Sequence, residues 1–178
     1  MLIFITITLG STRTRAGMHS QPSLNPVQEK QVQAKQQLAF RVIASDPEGD
    51  SLATSFSVQK SQAQSLRNAR LDSLGNISRS GAVSLFDLII IHQYLAGASQ
   101  NLSPTERMLA DVDGDGVITK QDAEMIGEMA VGLREQSNSR VFSWIPPIGT
   151  SGGFPITFSA IDSAGHAASQ SVIVNVYR

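Results

Sequence analysis

The apolar residues of this chain change period twice, and that change limits the folds open to it. From Val27 to about Lys60 they alternate, with Leu38, Phe40, Val42 and Ala44 on one side of an extended chain and Ala39, Arg41, Ile43 and Ser45 on the other. The run stops at the turn-forming Asp46-Pro47-Glu48-Gly49-Asp50, and Leu52 to Val58 reads as a return strand. From about Ser61 to Ser139 the spacing is helical. Leu88, Ile89, Ile91, Tyr94 and Leu95 predict a helix over Leu85 to Leu95, buried on most sides and stopping at Gly97. Ser103-Pro104-Thr105-Glu106 has an N-cap residue, proline at the first helical position and glutamate three beyond the cap, which predicts a short helix. A further helix is predicted from Gln121 to about Val131. From Arg140 alternation returns, in Val141 to Trp144, in Ile156, Phe158 and Ala160, and in Val172, Val174 and Val176.

The strand-bearing flanks, 27–60 and 140–178, hold 34 and 39 residues, each below the size at which a lone β domain holds together. One β-sandwich split by an all-α insertion over 61–139 is the economical arrangement, because a long insertion in a surface loop costs little closure entropy. The expected class is thus α+β. Residues 1–26 are expected to be a leader or disordered terminus. Within them Met1 to Leu9 is apolar but too short to span a bilayer, and Arg13 and Arg15 follow it, so an export-signal remnant and a terminal strand both stand. No other run suggests a membrane span.

Composition removes several functions. Net charge is −1 and the 14 basic residues are scattered, so the basic stripe of a nucleic-acid binder is absent. With no cysteine there are no disulfides, thiolate zinc sites or cysteine nucleophiles. His19, His92 and His166 form no metal or catalytic motif, and no Gly-x-Ser-x-Gly elbow or phosphate loop occurs. No catalytic residue is expected.

The helical part repeats internally. A shift of 35 residues lays Asn76–Gly97 on Asp111–Gly132, so that Gly81 meets Gly116, Asp87 meets Asp122 and Gly97 meets Gly132. The second copy opens with Asp111, Asp113 and Asp115 at loop positions 1, 3 and 5 and Gly116 at 6. The Val117 carbonyl, Thr119 and Asp122 follow at 7, 9 and 12. Hard divalent calcium takes six to eight such oxygens from a flexible loop, whereas magnesium takes fewer protein ligands in a stricter octahedron. Converging carboxylates repel without a cation, so the metal-free loop is expected to be poorly ordered. The first copy offers Asn76, Ser78, Ser80, the Ala82 carbonyl, Ser84 and Asp87, of which only Asp87 is charged, so it is expected to bind weakly or to be vestigial. One strong calcium site and one weak one are expected. Asp46, Glu48, Asp50 and Asp162 are candidates for a further site, against their reading as turn residues.

Two loops closed by Asp and each followed by a helix resemble a type I dockerin repeat over roughly residues 70 to 133. That resemblance implies an extracellular docking module whose calcium loops brace helices that bind a cohesin domain, in assemblies that degrade polysaccharide. Its partner-contact positions fall on Leu85 and Phe86 in the first loop and on Lys120 and Gln121 in the second. The unequal pairs depart from a symmetric binding mode. Residues 40–52, 141–146 and 158–162 are similar to pieces of bacterial cadherin-like or immunoglobulin-like surface domains, in the order a split sandwich requires. The alternative function is a calcium-rigidified structural or adhesion domain with no cohesin partner.

Overall fold

The computed structural model describes residues 20–98 and 101–178; the expected leader as far as residue 19, with His19, lies outside the described residues. In chain order the strands before the helices are β1 (Ser23–Leu24), β2 (Lys30–Gln33), β3 (Leu38–Val42), β4 (Ala44–Ser45), β5 (Ala53–Val58) and β6 (Arg70–Ser73). Helices α1 (Leu85–Leu95), α2 (Pro104–Ala110) and α3 (Lys120–Ala130) follow, then β7 (Arg140–Trp144), β8 (Gly152–Ile161) and β9 (Ala167–Tyr177).

Two sheets, β2-β9-β8-β5 and β3-β7-β6, enclose one apolar core, and β1 and β4 form a short separate pair. Alternation supplies that core: Leu38, Phe40 and Val42 of β3, Phe142 and Trp144 of β7, Phe154, Ile156 and Phe158 of β8, and Val172, Val174 and Val176 of β9 all face inward. Phe142 is in the middle, with ring centroids 5.2 Å from Phe40, 5.3 Å from Phe56 and 5.4 Å from Phe158. β5 does not return onto β3. The turn after β4 carries the chain across to the other sheet, where β5 pairs antiparallel with β8.

The expected all-α insertion is not seen. Strands make up 31% and helices 20% of the described residues, so the chain is mainly β with three short helices. Strand β6, inside the stretch assigned to that insertion, pairs with β7 and completes the smaller sheet. The helices have an apolar cluster of their own, but the sheet completes it. Leu74, Ile77, Val83, Ile91, Leu109, Ile126 and Met129 pack together with Val141 of β7, and Ala39 of β3 lies against them. Helices of seven to eleven residues are marginal alone, and here they roof the outer face of the β3-β7-β6 sheet. β7 is consequently buried on both faces, Phe142 and Trp144 beneath and Val141 and Ser143 above. Among the described residues no helix is long and apolar enough to cross a membrane.

Candidate metal centre

Each loop ends in a helix cap that also closes the loop. Thr119 caps α3 by accepting from the Gln121 N–H, and Ser84 caps α1; both stand in capping boxes with an aspartate three residues on. Those aspartates are fully buried. Asp122 Oδ1 accepts from the N–H groups of Val112 (2.7 Å) and Asp113 (3.4 Å), and Oδ2 from the N–H (2.8 Å) and hydroxyl (3.3 Å) of Thr119. Asp87 accepts likewise from Ser78 N–H (2.7 Å) and from the N–H and hydroxyl of Ser84 (2.8 and 2.9 Å). In both copies the acid at position 12 ties the start of the loop to its end.

Within the second loop, Asp111, Asp113 and Asp115 each bring a carboxylate oxygen within 4.8 Å of the others, Asp113 and Asp115 being exposed. Their other hydrogen bonds wind the backbone around them: Gly114 N–H donates to Asp111 (2.9 Å), Asp115 N–H to Asp113 (3.2 Å) and Val117 N–H to Asp115 (2.7 Å). Gly114 and Gly116, at φ +83° and +89°, make the left-handed steps this path needs. Three converging hard oxygens fit a calcium-like cation. Asp122 is outside that group, and the Thr119 hydroxyl is engaged at the helix cap. Calcium there would offset two of the three carboxylate charges and fix the entry to α3.

The first loop satisfies itself. Asn76 is buried, and its Oδ1 accepts from Ser80 N–H (3.1 Å) and the Ser78 hydroxyl (3.5 Å); the Ser78 hydroxyl also bonds that of Ser80, which donates to the Ala82 carbonyl. Arg79, at φ +57°, stands where the second loop has Gly114. Its guanidinium binds Asp72 of β6 (2.8 Å) and Ser143 of β7 (2.7 Å), riveting the loop to the sheet.

Three features escaped the sequence reading. Arg41 of β3 pairs with Asp111 at 2.9 Å. Ile89, expected to be buried, is 51% exposed and forms a stripe with Leu85 (57%) and Phe86 (61%). Lys120 and Gln121 are also exposed, but Lys120 lies beside His92, Leu95 and Ala96 at the far end of α1 from Leu85. The two expected contact pairs therefore sit at opposite ends of an antiparallel helix pair. An i, i+4 apolar pair on a helix that is apolar on most sides was the only signal for Ile89.

The four acids of the β part act in turns. Asp46 Oδ1 accepts the N–H groups of Glu48 and Asp50, Asp50 receives the Ser163 hydroxyl, and Asp162 accepts from Ala164 and His166. Among the described residues Asp111, Asp113 and Asp115 form the one acidic or histidine group close enough to share a metal. Burial acts to raise the Asp162 carboxyl, but side-chain and backbone hydrogen bonds from His166, its charge and the Ala164 N–H outweigh that and hold it below its ordinary value. His92 is exposed on α1.

No curated protein matches the chain. Among solved structures it is similar to titin domains Z1Z2 in complex with telethonin, at 10% identity over 90% of this chain and 50% of that one, with a TM-score of 0.41. It is similar also to the SrpA adhesin of Streptococcus sanguinis, at 8% identity over 89% and 56%, with a TM-score of 0.43. The chain thus spans about half the length of these structures. Residues 74–129 match the family model described as the dockerin type I domain. That match covers both loops and reaches into α3, so the roof of this β-rich chain is a dockerin-like module of the general calcium-binding, protein-docking kind.

Proposed function

We propose that the chain is an extracellular or cell-surface docking module in which calcium on the Asp111 loop holds the α1–α3 pair in shape for a cohesin-like partner. The exposed stripe Leu85, Phe86 and Ile89 carries this reading. Large apolar side chains are costly to leave in water as a contiguous patch, and such patches mark interfaces. Asp87 fixes the first turn of that helix, and α3, whose loop holds the acidic triad, packs against it through Leu88 and Gly127. The dockerin match points to a binding module rather than a catalytic one, and its parent assembly on this reading serves polysaccharide degradation. The test is capture of the calcium-loaded protein on immobilised cohesin domains. Binding should disappear in EDTA, and Phe86→Ser should abolish it while moving the melting temperature by no more than about 2 °C. A protein that binds calcium but no cohesin would refute the partner.

The shared core favours a second reading, a calcium-rigidified structural or adhesion domain, because Val141 and Ala39 bind the roof to the sheet. It predicts a large thermal shift with calcium and partner binding indifferent to Phe86→Ser.

A further inference from the structure

The two loops are tied to the sheet by ion pairs of opposite polarity. In the first loop the loop supplies the cation, Arg79, and β6 the acid, Asp72. In the second the loop supplies the acid, Asp111, and β3 the cation, Arg41. Ala39 and Arg41 occupy the outward face of β3, between the inward Leu38, Phe40 and Val42, so strand geometry delivers the guanidinium to the roof. There Arg41 also donates to the carbonyls of Met108 (3.3 Å) and Asp111, at the C-terminal end of α2, where carbonyls lack helical partners and a cation is favoured. The loop closes over it, since a Cβ on Gly114 would meet Arg41 Nη1 at 2.8 Å. Among the described ion pairs, Arg41–Asp111 is the one that reaches the acidic triad.

We infer that Arg41 is a built-in counter-cation of the Asp111 loop, ordering the loop without metal and lowering its affinity for calcium by opposing the incoming charge. The inference rests on the calcium reading of this loop. It also revises the expectation of a poorly ordered metal-free loop, because one of the three mutually repelling carboxylates is neutralised from the sheet. Arginine suits this position because its planar fork holds a carboxylate and backbone carbonyls together.

The test is calcium titration by calorimetry of the unaltered protein, Arg41→Gln and Arg41→Lys, with melting curves of each in EDTA. Arg41→Gln should bind calcium about tenfold more tightly, the scale of one unit charge beside a ligand carboxylate, and should melt lower in EDTA. Arg41→Lys, which keeps the charge but not the fork, should tighten binding by clearly less than Arg41→Gln. If Arg41→Gln folds only with metal, withdrawing calcium from the loaded variant with a graded chelator reads the same affinity. Equal or weaker binding by Arg41→Gln, or equal tightening by Arg41→Lys, would overturn the counter-cation role while leaving the calcium reading intact. No calcium uptake by any of the three would overturn both.

Discussion

Asp122 is at the closing position of the acidic loop, yet its oxygens face backbone donors, and this separates two roles that a ligand count would merge. Replacing it by Asn keeps the volume but leaves one oxygen, so either the Val112 and Asp113 N–H groups or the Thr119 N–H and hydroxyl meet an amide NH2. Hydrogen bonds to a charged group contribute about 1.5–3 kcal/mol, and a stranded buried donor costs about 1–3 kcal/mol. A loss near 3 kcal/mol is therefore expected without any metal, or about 6–12 °C at 2–4 °C per kcal/mol for a chain of this size. Asp113→Asn is the control. Asp113 is exposed and accepts only from the Asp115 N–H in the structure, so in EDTA it should cost under about 1 kcal/mol while still abolishing the calcium-induced rise in melting temperature. Thermal melts of both variants, with EDTA and with calcium, decide the matter. Equal melting of Asp122→Asn and the unaltered protein in EDTA would refute the structural tie and make Asp122 a ligand alone.

Two further outcomes follow from the shared core and from the turn between β8 and β9. Ile126 is fully buried beside Val141, so Ile126→Ala should cost about 2–5 kcal/mol; Trp144, the single tryptophan, should report the loss in one transition coincident with far-UV circular dichroism, and separate transitions would show that roof and sheet unfold independently. For Asp162, whose carboxyl is held below its ordinary value, the stabilisation is complete above about pH 4, the unfolded value, and is lost as pH falls through the lower folded value. Urea midpoints of the unaltered protein and Asp162→Asn should accordingly converge below about pH 4, and a gap independent of pH would refute the assignment.

What the sequence disclosed was local chemistry. Position-specific acids, the loop glycines and the capping boxes each act within a dozen residues, so the loop, α2 and the start of α3 could be read directly. What it concealed depends on which surface covers a face. The residues from Leu85 to Leu95 are apolar on most sides, and nothing in their spacing says that Ile91 is enclosed while Leu85, Phe86 and Ile89 face water. Arg41 looks like an ordinary outward polar residue of an alternating strand until the roof descends on it. The same blindness produced the all-α insertion: a helical period shows that helices form, but not whether they can bury their faces without help.

That missing help bears on function. The roof borrows Val141 and Ala39 for its core and is pinned through Arg41–Asp111 on one side and Arg79–Asp72 with Ser143 on the other. A cation on the Asp111 loop would act on a carboxylate, Asp111, already in contact with β3, so its binding energy cannot remain confined to one helix. Linkage makes the relation reciprocal and its sign negative: a sheet that holds Arg41 against Asp111 opposes the cation, and an occupied loop loosens Arg41. Because roof and sheet share Val141 and Ala39, the exposed stripe on α1 and the inner core around Phe142 are nonetheless expected to gain stability together when calcium binds the folded chain, which a free-standing helical module could not achieve.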